Sequence, residues 1–359
     1  MTIYIGTSGW QYGDWRPAFY PAGVSQARWL EHYAARFATV ESNNAFYRLP
    51  SREVFEAWAA RTPDDFVMAV KVSRYLSHIL RLRDPAEPVG RFVDRVAGLG
   101  PKLGPVLLQL PPSLPVDLGR LTETLDRFPR DIRVAVEFRH SSWYTDEVRR
   151  LLVARGTALC LADRHGPRTP LWRTAEWGYV RLHQGLAKPR PCYGRAALRT
   201  WAERLAAVYG RDSNAFVYFN NDHRACAVRN ATEFGRACLA AGLSPSRVPG
   251  LPMGTAIGLP FVSSESRIAA AVLGLAGLGN RPGAAAFEQA ARELRVPILF
   301  VFQWDDELMN RESGLQLFDA IGSEEKTMHI NPGGHVGTPL FERDAYEAFF
   351  TRYFGREQG

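Results

Sequence analysis

The stretch Val134-Ala135-Val136-Glu137-Phe138-Arg139-His140-Ser141-Ser142-Trp143 decides the fold. It opens as a short apolar run, the form taken by a strand buried on both faces of a parallel sheet, and stops abruptly in charge. Period-two alternation sends Glu137 and Arg139 to one side and Phe138 to the other. A strand that carries an acid, a guanidinium and an imidazole at its carboxyl end fits a β/α barrel, where sites are assembled on that face, once its neighbours end the same way.

Working outward, the same grammar recurs at apolar runs 2–5, 39–43, 66–71, 105–110, 132–138, 157–162, 178–183 and 215–220. Segments 26–37, 52–61, 89–99, 118–128, 146–154, 195–209 and 225–241 lie between or after them and carry apolar residues at helical spacing. Only 162–178, punctuated by Gly166, Pro167 and Pro170, offers little helix. Eight such units in about 245 residues predict a TIM-like β/α barrel. The strand ends read Gly6 to Trp10, Glu41-Ser42-Asn43, Lys71, Gln109, Glu137 to His140, Asp163, Arg181-Leu182-His183 and Asn220-Asn221-Asp222. Polar side chains at the same end of successive strands converge on one mouth.

Within that mouth Glu137 is a candidate general acid or base, and Arg139 an anion ligand or the cation that keeps Glu137 ionised. A buried Glu–Arg network that only braces the barrel is the competing reading. His183, two residues after Arg181, is the stronger proton-transfer candidate, because an unperturbed imidazole titrates near neutrality. Lys71 and Arg74, with His78 a turn further on, add positive charge; with Arg139 and Arg181 they predict an anionic ligand of sugar-phosphate type. Trp10, Tyr12, Trp15, Phe46, Tyr47, Trp143 and Tyr193 offer rings for stacking, or simply packing over the barrel end. Glu41, Asp163, Asp222 and the histidines contain ligands for a divalent metal, but no H-E-x-x-H or similar spacing supports one, and the cofactor stays unassigned.

Composition limits the alternatives. The chain has 359 residues, 46% hydrophobic and 23% charged, which predicts one large and one smaller folding unit. Residues 1–244 carry 34 Lys and Arg against 23 Asp and Glu; the remainder carries 10 against 14. The excess of +11 in the first part admits nucleic acid as a lesser reading, since many arginines fall in amphipathic segments such as 195–204. Cys160, Cys192, Cys226 and Cys238 show neither C-x-x-C pairing nor zinc spacing, and the first residues carry no export leader. A reducing cytoplasm is therefore expected. No apolar run approaches the length of a membrane span, so no membrane partner is expected.

GTSGWQYGDW at 6–15, ESNNAFYRLP at 41–50, KVSRYLSH at 71–78, LGPVLLQLPPSL at 103–114, AVEFRHSSW at 135–143, YVRLHQG at 179–185 and YFNNDHRACAVRNA at 218–231 together resemble the YecE-like family, domain of unknown function family 72. The resemblance implies a β/α barrel of unassigned activity over residues 2–243. It also places the family's polar positions on Glu41, Asn43, Lys71, Arg74, His78, Gln109, Glu137, Arg139, His140, Asp163, Arg181, His183, Asn220, Asn221 and Asp222. Two departures are Ala45, where the family usually has Thr or Ser, and Gln184, which interrupts a direct His-Gly pair. The rival classes for such a barrel are an enzyme or small-ligand binder, a non-catalytic adaptor, and a nucleic-acid-processing enzyme.

Residues 244–249 read as a junction, and 250–359 as a smaller αβ segment with strands at 267–273, 297–303 and 326–330 and helices at 284–294, 313–321 and 343–354. Three strands on so little chain predict a poor independent core. The segment resembles the C-terminal half of an α/β-hydrolase of the dienelactone-hydrolase or acyl-esterase type. Gly250-Leu251-Pro252-Met253-Gly254 stands where the nucleophile elbow would be, Asp306 matches the acid and His335 the base. Pro252 has no hydroxyl, so the resemblance implies a relic without hydrolase activity.

Overall fold

The computed structural model describes residues 2–164, 169–210, 213–249, 254–278, 284–306, 310–333, 339 and 341–354. The chain forms two compact units, Met1–Pro249 and Gly250–Gly359.

In the first unit, strands β1 (Ile3–Thr7), β2 (Thr39–Ser42), β3 (Val67–Lys71), β4 (Leu103–Gln109), β5 (Val134–Glu137), β6 (Ala158–Asp163), β7 (Gly178–Leu182) and β8 (Ala215–Phe219) form one parallel sheet in the order β1-β8-β7-β6-β5-β4-β3-β2. Helices α1 (Trp29–Ala34), α2 (Asn44–Tyr47), α3 (Arg52–Ala60), α4 (Ala86–Val96), α5 (Leu118–Asp126), α6 (Asp146–Ala154), α7 (Arg195–Tyr209) and α8 (Cys226–Ala240) alternate with the strands. Two of these starts were written locally. The Asp117 carboxylate accepts from Arg120 N–H, and the Thr145 hydroxyl accepts from Val148 N–H, each satisfying an orphan donor of the first turn. The span 169–177, which holds Pro170, contains no helix, and Gly166 and Pro167 lie outside the described residues.

Ala69, Leu107, Ala135, Ala158, Cys160, Ala162, Tyr179, Phe216 and Tyr218 share one buried cluster. Small residues on β3, β5 and β6 leave room for rings from β7 and β8, so large and small side chains interdigitate. Side chains two residues further along a strand point the same way. This parity carries Lys71, Gln109, Glu137 and Arg181 inward, above the apolar layer. Alternation thus turns a hydrophobic core into the floor of a polar site.

The seam between β1 and β2 is closed differently. Only Ser8 and Glu41 pair across it as an isolated bridge, with Gly9 N–H donating to Glu41 O at 2.8 Å. Gly6 permits this approach, because a Cβ there would lie 2.3 Å from Thr39 O. Lower in the seam, residues 244–249 are not a free junction. Ile3 N–H donates to Ser244 O, Ser246 N–H to Ile3 O, Ile5 N–H to the Ser246 hydroxyl and Ala38 N–H to Arg247 O. These residues supply the hydrogen-bond partners that β1 and the start of β2 would otherwise lack.

Cys192 and Cys226 form a disulfide, 34 residues apart in sequence, that ties the loop after β7 to the start of α8. Local spacing did not announce the pairing, because the two sulfurs meet only once the loops after the neighbouring strands β7 and β8 are packed side by side, and cysteine spacing alone does not decide the compartment. Cys160 and Cys238 are buried thiols. Among the described residues no helix is long and apolar enough to cross a membrane.

The second unit is a three-stranded parallel sheet in the order β11-β10-β9, with β9 at Ala271–Gly274, β10 at Ile298–Gln303 and β11 at Lys326–Asn331. Helices α9 (Gly254–Ser264), α10 (Ala284–Glu293), α11 (Arg311–Ala320) and α12 (Glu342–Phe354) accompany it. Every residue of β10 is buried, and Leu259, Leu273, Leu294, Ile298, Phe300, Phe302 and Leu317 gather into one core. Strand β9 is shorter than the 267–273 expected from sequence, because Arg267 closes a local turn onto Glu265. Helix α9 was not foreseen; Gly258 and Pro260 interrupt its apolar spacing.

Candidate functional site

At the carboxyl ends of the strands Arg181 is the centre of a buried network. Its Nη1 donates to Glu137 Oε2 at 2.8 Å, while its Nη2 and Nε donate to Glu41 Oε1 at 2.8 and 3.1 Å. Both carboxylates are fully buried and Arg181 is 1% exposed. Glu41 accepts further bonds from the Ser8 and Tyr179 hydroxyls, each at 2.6 Å. Glu137 accepts from Gln109 Nε2 at 2.8 Å and from Arg139 Nε at 2.9 Å. Burial alone would raise the Glu137 carboxyl; Arg181 and Arg139 overcome it and hold the group well below its usual range. Ser8 and Tyr179 were not among the candidate site residues, although Tyr179 shares parity with Arg181 and Ser8 directly follows β1.

Above this network opens a cavity of about 630 Å³ lined by Tyr12, Asn43, Lys71, Arg74, Asn220 and Asp222, among others. The Lys71 side chain is 7% exposed, and its Nζ stands 3.9 Å from the centroid of the Phe46 ring. It makes no hydrogen bond or ion pair among the described residues. Burial and then Arg181 push the ammonium down to about 7. Arg74 is exposed and likewise has no ion pair among the described residues. Asp222 moves in the opposite sense, raised by burial to about 7 despite the Tyr12 hydroxyl beside it. Its Oδ1 and that of Asn43 are buried without a partner.

His183 is placed differently from the expectation that made it a proton carrier at neutral pH. Burial, and then Arg181, lower it to about 3, so the ring is neutral. Asn220 Nδ2 donates to its Nδ1 at 2.8 Å, which puts the ring proton on Nε2, a buried atom with no partner. His78 is also neutral, lowered to about 4 mainly by burial, with Nδ1 against the Ser77 hydroxyl.

Other sequence candidates are brought to different tasks. Trp10 packs edge-on against Trp58, and Trp143 stacks on Phe138 while donating to Leu114 O at 2.8 Å; neither lines the cavity. His140 Nδ1 accepts from Ser142 N–H at the start of a short turn. Asp163 accepts from Trp201 Nε1 at 3.1 Å, and Asn221 donates to Pro191 O and Asn230 Oδ1. Tyr47 lies on the cavity rim, 73% exposed. Among the described residues no group of three or more His, Cys, Asp or Glu side chains could hold a metal, because the carboxylates near the mouth are engaged by arginines or lie apart. In the second unit Asp306 follows β10, and Asp305 N–H donates to Gly333 O after β11 at 3.1 Å. Pro252 and His335 lie outside the described residues.

Fold and site together define a TIM-like barrel protein with a polar, arginine-braced mouth. The match to the model described as "Protein of unknown function DUF72" covers residues 4–251, and the chain belongs to that family. It is 35% identical over 143 residues to UPF0759 protein YecE of Escherichia coli K12, a match covering 40% of this chain and half of that protein's length. It is 26% identical over 266 residues to UPF0759 protein YunF of Bacillus subtilis 168, covering 64% of this chain and 93% of the relative. A crystal structure of a DUF72 family protein from Thermotoga maritima superposes with a TM-score of 0.58 at 28% identity, covering 66% of this chain and 98% of that one.

Proposed function

We propose that the barrel mouth binds a small anionic ligand, of carboxylate or phosphate type, as an enzyme site or a specific receptor. The observation that carries this reading is a charge imbalance. Glu41 and Glu137 are matched by Arg181 and Arg139, which leaves Lys71 and Arg74 on the cavity without acidic partners among the described residues. Asp222, raised to about 7, cancels at most part of this charge, and Arg74 stays cationic even when Lys71, lowered to about 7, is neutral. An anion would satisfy both cations in a concave, partly dehydrated space of a size suited to a metabolite. In this reading Glu41 and Glu137 hold Arg181 in place, and proton handling falls to Lys71 and Asp222 rather than to His183.

The test is thermal unfolding of the full chain in increasing inorganic phosphate, read as the rise in Tm that specific binding produces. Lys71→Met and Arg74→Ala correct for the general salting effect of phosphate. A rise that both variants lose supports the reading; an equal rise in all three proteins overturns it.

We infer that the second unit is an α/β-hydrolase-like segment without its nucleophile and does not turn over esters. A parallel sheet with Asp306 after its central strand supports the likeness, and proline at position 252 supports the inactivity.

A further inference from the structure

We propose that Lys71 is an amine nucleophile that forms an imine with an anionic aldehyde or ketone held in the barrel mouth. The proposal rests on the anion-binding reading above and adds the reacting group. Three observations support it. The chain has only four lysines against forty arginines, so a lysine at this position in an arginine-rich protein stands out. Two of the other three are tied to backbone carbonyls: Lys102 to Ala59 and Thr62, and Lys326 to Phe318 and Ile321. Lys188 is exposed on a loop. Lys71 alone is buried beside a cavity with its nitrogen free of hydrogen bonds among the described residues, resting on an aromatic face.

Arginine could bind an anion at this position equally well, but a guanidinium cannot act as a nucleophile at ordinary pH; an amine desolvated among other cations can. With the ammonium lowered to about 7, close to half of Lys71 is the free amine at neutrality, against roughly one in a few thousand for an ordinary lysine. The surrounding groups fit the remaining steps. The Nζ lone pair attacks the carbonyl carbon, a C–N bond forms, and the carbonyl π pair moves to oxygen, which takes a proton. Nitrogen loses a proton, the hydroxyl leaves as water after accepting another, and the protonated imine that remains becomes the neutral imine by giving up its last N–H proton. Asp222 lines the same cavity and is placed to give and take these protons. Arg74 and the terminal nitrogens of Arg139, which have no hydrogen bond among the described residues, face the substrate's carboxylate or phosphate.

The experiment treats the full chain with glyoxylate, and separately with the uncharged two-carbon aldehyde glycolaldehyde, each with sodium cyanoborohydride, and maps reduced adducts by peptide mass spectrometry. Glyoxylate is expected to label Lys71 at least about tenfold faster than Lys188 at neutral pH, because burial and the lower basicity of Lys71 offset only part of its roughly thousandfold larger free-amine fraction. Lys71→Arg, which keeps the charge, loses this label; its circular dichroism and thermal unfolding report whether it is folded. Labelling of Lys71 no faster than of Lys188 overturns the imine proposal, and leaves the anion reading standing if phosphate still raises Tm. Equal labelling of Lys71 by both aldehydes, undiminished by phosphate, keeps the nucleophile and removes the anion preference.

Discussion

Lys71 and Phe46 form a cation–π pair, with Nζ 3.9 Å from the ring centroid and no carboxylate bonded to the nitrogen. The ring, together with the Glu137 and Glu41 charges, partly offsets the burial that drives the proton off. Phe46→Leu keeps the apolar volume and removes the quadrupole, worth about 0.5–1 kcal/mol for the protonated form. The Lys71 titration should fall below about 7 by roughly half a pH unit, followed by NMR of the reductively methylated lysine. An unchanged or higher midpoint counts against the contact.

Arg181→Met should leave Glu41 and Glu137 buried without their shared cation, at a cost of about 3–5 kcal/mol in urea unfolding at neutral pH. The folded Glu137 lies well below 4.5, so its contribution to stability is present above pH 4.5 and is lost as pH falls through the folded value. The gap between wild type and variant should therefore narrow in acid. A gap that is small at neutrality, or constant with pH, contradicts the bridging role.

His183 binds its proton less readily in the folded chain than in the unfolded one. Its folded value is lowered from 6.5 to about 3, so its contribution is intact above pH 6.5 and declines steadily as pH falls toward 3. His183→Gln should flatten the stability profile across that window while changing little above it. Denaturant midpoints measured across the window check this, and parallel profiles would show that the imidazole is not buried as a neutral group.

Ser246→Ala removes the hydroxyl that accepts the buried Ile5 N–H at 3.0 Å. An orphaned backbone donor costs about 1–3 kcal/mol. Hydrogen exchange should quicken at Ile5 and in neighbouring amides of β1, and urea stability should fall by a similar amount. Unaltered exchange would mean that residues 244–249 do not hold the seam.

The full chain should give no saturable turnover of p-nitrophenyl acetate and no fluorophosphonate label. Pro252→Ser should restore little of either, since the sequence places no strand and oxyanion-hole loop of its own before that position. Turnover in the unmodified chain that His335→Ala abolishes would show that another residue supplies the nucleophile.

Much of the barrel was legible in the sequence, because a parallel strand flanked by helices must be apolar along its length and can afford charge only where it ends. That constraint marked eight strands, and period-two parity placed Glu137 with Arg139 and Arg181 with His183. Properties that depend on residues far apart in the chain were not legible. Arg181 meets Glu41 across 140 residues, Ser246 closes β1 from 241 residues away, and Cys192 reaches Cys226 over the barrel rim. The titration order was hidden for the same reason. An isolated histidine titrates near neutrality and an isolated lysine far above it, and only the packing of Arg181 and the surrounding walls lowers His183 to about 3 and brings Lys71 to about 7. Sequence determined that Lys71, Gln109, Glu137 and Arg181 share the inward face at the strand ends, because strand parity is a local property; tertiary structure decided which other candidates join them and which remain charged, because packing, desolvation and Coulomb forces depend on neighbours that only the closed barrel assembles.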